Sequence, residues 1–365
     1  GVRPLMPPPA PRSVPARFWV AFLVIHLLAL AGLAAFVADQ LRPVDLPALH
    51  LAEGEKLHCI SYAPYYQPGQ TPLDLSTRIP REQIVADLQA LAPLTECVRI
   101  YSVSQGLEQV PAIAQELGLK VLVGAWIGAL PDLNRIQVET VVKLAKDYPG
   151  TVKAIVVGNE VLLRREQTEA GLRAYIEEVR RRVKVPVTYA DVWEFWARHA
   201  GLADAVDFVT VHILPYWEDH PVAVHQALRH IADVRGLMVK EFNKPLLIGE
   251  TGWPSAGRQR EQSRPSLVNQ ARYVREFIRK AHDEGWDYNL IEAVDQPWKR
   301  RLEGTVGGYW GILDTALKPK FSFEAPVAER QQGLHVIERE PQRLRQRRRQ
   351  GLGRELLHDW LLSGP

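Results

Sequence analysis

Val152-Lys153-Ala154-Ile155-Val156-Val157-Gly158 is a short, almost wholly apolar run that ends in Asn159-Glu160. Apolar side chains fall on both of its alternating faces, so a strand built from it is covered on both sides. The next stretch, Glu169–Val183, changes to helical spacing. The same beat repeats in both directions. Apolar runs stand at Leu57–Ala63, Cys97–Tyr101, Lys120–Trp126, Val185–Ala190, Val206–Ile213, Pro245–Gly249 and Asn289–Val294. Amphipathic stretches lie between most of them: Arg81–Leu91, Val110–Leu117, Val138–Tyr148, Val222–Met238 and Leu267–Glu284. Trp193–Leu202 is the weakest helix of the series. Eight doubly covered strands alternating with helices predict a closed parallel (β/α)8 TIM barrel. A doubly wound open sheet also alternates, but it usually has a Gly-rich first turn, and Ala63-Pro64-Tyr65-Tyr66 offers none.

In such a barrel the chemistry sits where the strands end at the carboxyl face. The residues there are Tyr62, Tyr65 and Tyr66 after the first strand, Arg99 and Tyr101 at the second, and Trp126 at the third. Asn159 and Glu160 end the fourth strand, and His212, Tyr216 and Trp217 follow the sixth. Glu250 and Trp253 follow the seventh; Glu292, Trp298 and Lys299 follow the eighth. Carboxylates, amides and aromatics on one rim suit a neutral polyol. A carboxylate at the end of an apolar run costs free energy unless it is hydrogen-bonded or has a task. A lone Glu there can simply open the next helix. Two, each one or two residues after a Gly, fit the pair that breaks a glycosidic bond: one acid to protonate the leaving oxygen, one carboxylate to attack the anomeric carbon or activate water.

Val157-Gly158-Asn159-Glu160 and Ile248-Gly249-Glu250-Thr251-Gly252-Trp253-Pro254-Ser255 resemble the signatures of glycoside hydrolase family 17. Glu292–Lys299 resembles the family's strand-eight segment, and Gly308-Tyr309-Trp310-Gly311 its closing stretch. The resemblance implies a retaining β-1,3-glucan-active enzyme, with Glu160 as general acid/base and Glu250 as nucleophile. The residues by themselves do not fix which glutamate is which. Asn159 would bond the sugar 2-hydroxyl, with helix capping as its structural alternative. Arg99 would pair with Glu250 and keep it ionised. Tyr216 would donate to the same carboxylate, and Trp298 would form the floor under the sugar. Tyr62, Tyr101, Trp126 and Trp253 are platforms or rim packing. Glu292 and Lys299 are charged neighbours, and His212 stands where plant members of the family commonly have Asn. The resemblance also extends to membrane-anchored bacterial members that transfer glucan chains to a sugar acceptor. That implies β-glucan as partner, transfer rather than simple hydrolysis, and an association with a glucan synthase. The rivals are a plain endo-hydrolase and a non-catalytic, anchored glucan-binding barrel.

Ahead of the barrel, Phe18–Ala38 is apolar except for His26. About 20 residues span a bilayer core of ~30 Å. Arg3, Arg12 and Arg17 precede the run, and balanced charges follow it. The positive-inside rule then predicts a single-pass signal-anchor in the inner membrane, with the catalytic domain periplasmic or extracellular. A cleaved signal peptide is the alternative. The expected organisation is a cytoplasmic segment 1–17, an anchor 18–38, a linker 39–55, the barrel 56–325 and a basic tail 326–365. The tail's Arg-rich run, Arg343–Arg354, is either a solvated, partly disordered end or a surface for acidic lipid or a partner.

Composition limits the remaining classes. Of the 365 residues, 46% are hydrophobic and 24% charged, which excludes a disordered chain, a collagen and a multi-span membrane protein. A net charge of +3 gives no nucleic-acid footprint. The 2 cysteines exclude a four-Cys zinc site. His220, His225 and His230 do not stack on one helical face, and no HExxH or Asp-rich calcium loop occurs, so neither a catalytic metal nor a cofactor is expected. With Tyr62 and Arg99 both taken as inward, alternation puts Cys59 outward and Cys97 inward, predicting two buried thiols.

Overall fold

The structure is a computed structural model that describes residues 14–329. Eight parallel strands close into a barrel in sequence order. They are β1 (Cys59–Ser61), β2 (Cys97–Ile100), β3 (Lys120–Ala125), β4 (Val152–Asn159), β5 (Val187–Val192), β6 (Val209–His212), β7 (Leu246–Thr251) and β8 (Asp287–Leu290). A helix α1 (Ala16–Gln40) precedes the barrel. The outer helices are α2 (Arg81–Leu91), α3 (Val110–Glu116), α4 (Pro131–Asp147), α5 (Glu169–Arg182), α6 (Trp193–Arg198), α7 (Val224–Phe242) and α8 (Leu267–Glu284), with a short α9 (Arg300–Glu303) after β8. The weak fifth connection has a physical basis: α6 is one and a half turns long, and a 3-10 helix over Ala200–Ala205 completes it.

Two apolar layers result from strand alternation. Outward side chains such as Val123, Ile155 and Val157 join Leu172 and Ile176 of α5 in the main core. Inward side chains form a separate inner cluster: Cys59, Cys97, Leu122, Ala154, Val156, Ala190 and Leu247.

Cys59 and Cys97 are joined by a disulfide, which corrects the expectation of two thiols. The error lay in the parity of β1. Tyr62 turns away from the barrel axis, and its hydroxyl donates to Asp87 Oδ2 of α2 at 2.6 Å. The inward set of β1 is therefore Cys59 and Ser61. Ser61 pairs in register with Arg99, so Cys59 faces Cys97.

Three register shifts gather at the carboxyl face. From Val156 to Asn159, β4 uses three steps against two in β5. Between Ile248 and Thr251, β7 does the same against β8, and it carries one extra residue against β6 at Val211/His212. Each extra residue is a bulge that re-aims the side chains after it. Gly158 and Gly249 lie at these places. Gly158 has φ of +84°, and a Cβ on Gly249 would stand 2.4 Å from Thr210 Cγ2. Glycine is required at both, for conformation in one and for space in the other.

The helix α1 has no buried residue and a mean hydropathy of 2.6 over its most apolar window. At 1.5 Å per residue its 25 residues measure about 37 Å, enough by length and composition to cross a membrane. The segment read as a linker is packed. Val44 pairs antiparallel with Val327, Leu49 N donates to Phe323 O at 2.8 Å, and the buried Arg275 of α8 donates to Ser322, Ala325 and Leu46 carbonyls. The greater part of the segment 1–17 and the Arg-rich tail lie outside the described residues.

Candidate active site

Glu160 leaves β4 one residue past the bulge with φ of 52°. This left-handed conformation costs a non-glycine residue about 1–3 kcal/mol, and such cost is tolerated where the surroundings fix the backbone. Here Glu160 N donates to Ala190 O at 2.8 Å, and Glu160 O accepts from Arg164 N at 2.8 Å. Glu250 comes from β7 and His212 from the end of β6. One carboxylate oxygen of each glutamate and a ring nitrogen of His212 all lie within 4.8 Å of one another.

The hydrogen bonds fix the state of His212, which is 1% exposed. Arg99 Nη1 lies 3.2 Å from His212 Nε2. A guanidinium only donates, so Nε2 accepts and the proton resides on Nδ1. That Nδ1–H donates to Glu160 Oε1 at 2.7 Å, with Glu250 Oε2 at 3.6 Å. Arg99 also donates to Gly249 O at 2.7 Å and to Asn159 Oδ1 at 2.8 Å, and stands 3.9 Å from Glu250 Oε1. One buried guanidinium thus ties β2 to β4, β6 and β7.

Glu250 Oε1 accepts from Tyr101 Oη at 2.7 Å. The expected donor, Tyr216, instead gives its proton to Arg258 O at 2.6 Å, which corrects that assignment. Behind Tyr101, Ser61 Oγ lies 2.7 Å from its hydroxyl, and Asn289 Nδ2 donates to Ser61 Oγ at 2.7 Å. Burial, and next the negative charge of Glu250, push the Tyr101 hydroxyl well above its ordinary range, so it remains a donor. For Glu160, burial pushes the carboxyl up, but the His212 hydrogen bond and the cations Arg164 and Arg99 outweigh it, and the net direction is down.

A second charged group flanks the pair. Lys299 Nζ donates to both oxygens of Glu292, at 2.9 and 2.8 Å. Burial raises Glu292 to about 7 against the opposing pull of Lys299. Glu303 of α9 is likewise raised to about 7 by burial, opposed by Lys299 and reinforced by Glu292 and Glu250. On β5, Asp191 is raised to about 7 by burial and then by the charge of Glu160, while the Tyr189 hydroxyl donates to it.

The predicted aromatics divide. Tyr101 belongs to the cluster. Trp126 lies on the rim under the Arg164 guanidinium, 4.1 Å from the ring centre. Trp298 packs edge-on to Tyr65 and donates to Gln296 Oε1 at 2.8 Å. Tyr62 and Trp253 are not brought to the cluster: Tyr62 faces α2, and the fully buried Trp253 donates to Arg264 O at 3.0 Å beside Tyr273 of α8. Ser61, Arg164, Asp191, Asn289 and Glu303 were missed. Asp191 directly follows the run Val185–Ala190 and carries the same signal as the two glutamates. No comparable signal marks Arg164 or Glu303.

A closed (β/α)8 barrel with two glutamates at its mouth is the architecture of a glycosidase. Residues 59–311 match the model of the BtgE/BtgC glycoside hydrolase domain, and the chain belongs to that family. It is 27% identical over 309 residues to the probable glucan endo-1,3-beta-glucosidase btgC of Aspergillus clavatus, covering 76% of this chain and 44% of the relative. The chain therefore spans less than half the length of that relative. It is also 27% identical over 266 residues to the glucan 1,3-beta-glucosidase of Saccharomyces cerevisiae, covering 65% of this chain and 83% of the yeast protein. Among solved structures, the family 17 β-1,3-glucanosyltransferase of Rhizomucor miehei is similar with a TM-score of 0.64 at 25% identity, over 74% of this chain and 98% of that one.

Proposed function

We propose that the chain is a retaining β-1,3-glucan-active enzyme that cleaves through a glycosyl-enzyme and passes the glycosyl unit to a sugar acceptor. The supporting observation is the separation of the two glutamates, whose nearest oxygens fall within 4.8 Å. Retaining pairs stand about 5–5.5 Å apart, and inverting pairs leave room for a water at about 6.5–9.5 Å.

Glu250, held by the Tyr101 hydroxyl and near Arg99, is the nucleophile. Its carboxylate attacks the anomeric carbon as the glycosidic C–O bond breaks, and Glu160 gives its proton to the departing oxygen. Before substrate binds, Glu160 lies below its ordinary range, so it must take up that proton as the sugar arrives. A sugar chain over the mouth extends the burial that pushes the carboxyl up. In the second half, the ionised Glu160 removes the acceptor's hydroxyl proton, the acceptor oxygen bonds to the anomeric carbon, and Glu250 departs. The His212 Nδ1–H bond keeps Glu160 aimed through both halves.

Two features support a position outside the cytoplasm, anchored by α1 in the inner membrane. One is the apolar, uncovered α1. The other is the Cys59–Cys97 bridge, which suits an oxidising compartment. Laminari-oligosaccharides incubated with the enzyme give products longer than the input, with the β-configuration kept, and Glu160→Gln or Glu250→Gln abolishes them. Inverted products refute the double displacement. Exclusively shorter products at high substrate reduce the enzyme to a hydrolase.

A further inference from the structure

Ser61 of β1 and Asn289 of β8 are fully buried, so neither touches a substrate, yet both join the hydrogen bonds of Glu250. The direction of each bond follows from counting donors and acceptors. Asn289 presents Nδ2 to Ser61 Oγ at 2.7 Å and to Gly249 O at 2.9 Å. A carbonyl oxygen only accepts, so the amide cannot be turned over, and both of its N–H groups are committed. The Tyr101 hydroxyl has a single proton, which goes to Glu250 Oε1 at 2.7 Å. Ser61 Oγ and Tyr101 Oη stand 2.7 Å apart, and with the tyrosine proton committed the serine hydroxyl must be the donor. The series therefore runs one way, from Asn289 to Ser61 to Tyr101 to Glu250. Out of contact with water, each link polarises the next. The Arg99 guanidinium, 4.4 Å from the centre of the Tyr101 ring, holds that ring in place.

Packing alone does not account for Asn289. Its Oδ1 is buried and has no hydrogen-bond partner. An apolar side chain would fill the same place without an unmet polar atom, so the amide costs stability where it stands. What it supplies is the donor to Ser61. The strand register puts both residues in the inward row, Ser61 opposite Arg99 and Asn289 opposite Cys59.

We propose that Ser61 and Asn289 are positioning residues for the second half of the reaction: through Tyr101 they keep a polarised proton on Glu250 and speed its departure from the glycosyl-enzyme. The inference rests on the double displacement above. In that half the bond between the anomeric carbon and Glu250 breaks, and its electron pair returns to the carboxylate. The acceptor oxygen bonds to the carbon as its proton passes to Glu160. Negative charge grows on Glu250, where an aimed donor stabilises it. In the first half charge leaves Glu250, and the same donor gives no help. The series therefore acts on one half only.

Ser61→Ala tests this in the full chain with a dinitrophenyl laminari-oligosaccharide, whose leaving group makes the first half fast. The substitution deletes one oxygen and leaves too little room for a water to replace it. Dinitrophenol is released in a burst, followed by a steady-state kcat about tenfold below wild type. KM falls in the same proportion, and kcat/KM is unchanged, because only the later step is slowed. Asn289→Leu, close in volume, breaks the series one link earlier and gives a shallower version of the same split, while Gly249 O keeps Arg99 as donor. Thermal melting checks the fold of each variant, and where one melts below the assay temperature the other decides.

A folded variant in which kcat and kcat/KM fall together, or in which kcat is unchanged, overturns the series. With a wild-type chain that turns over with retention, that result leaves the double displacement standing. An inactive or inverting wild-type chain overturns both.

Discussion

Replacing Cys59 and Cys97 together by Ala removes the one covalent link between β1 and β2. The bridge closes a loop of 38 residues. The chain-entropy relation gives a stabilisation of about 4 kcal/mol at 25 °C for that length. Alanine suits the site better than serine, because the neighbours Leu122, Ala154 and Leu247 are apolar and offer a hydroxyl nothing to bond. For a domain of this size each kcal/mol corresponds to about 2–4 °C. The double variant therefore melts about 8–16 °C lower in calorimetry, with its far-UV circular dichroism unchanged at room temperature. Native protein treated with an alkylating reagent under non-reducing denaturation takes up no label. Two labelled cysteines under those denaturing, non-reducing conditions, or a double variant that melts with wild type, would refute both the bridge and the inward parity of β1 from which it follows.

Tyr101→Phe deletes a hydrogen bond from a neutral donor to a carboxylate, worth about 1.5–3 kcal/mol, and lowers kcat by about ten- to a hundredfold with an intact thermal transition. An undiminished kcat would remove Tyr101 from the support of Glu250. Asp191→Asn reports on pH. Its carboxyl is raised to about 7 in the fold and titrates lower in the unfolded chain, so ionising it weakens the native state. Stability is lost as pH rises from about 4 to about 7, by at most on the order of 4 kcal/mol from this group. Denaturant unfolding of Asp191→Asn shows a flatter dependence over that window than wild type. Identical slopes would contradict the buried setting of Asp191 beside Glu160.

The barrel could be read because its signal is periodic. Eight doubly apolar runs separated by helical spacing leave few ways to cover a sheet, and the strands were found within a few residues of their true ends. The glutamates could be read because each interrupts an apolar run at its carboxyl end. Side-chain direction could not be read, since parity counting assumes an unbroken pleat and a correct starting residue. Tyr62 supplied a wrong start, and with it the cysteines were set on opposite faces. The bulges at Gly158 and Gly249 break the pleat at the two strands that matter most. Tyr216 was chosen as the donor to Glu250 by resemblance, whereas Tyr101, two residues past the inward Arg99, continues the inward row of β2. The packing of 44–49 on 322–327 rests on isolated backbone pairs and a single buried arginine, which leave no periodic trace.

That packing gives the barrel a single point of departure. The Val44–Val327 bridge brings the incoming and outgoing chain side by side, at the spacing of neighbouring strands, about 5 Å. Whatever precedes residue 41 and whatever succeeds residue 329 are delivered to the same corner, like two cords knotted at one ring. The end of α1 reaches the same corner, where Gln40 and Leu41 line one cavity with Ser255, Leu267 and Lys320 of the barrel.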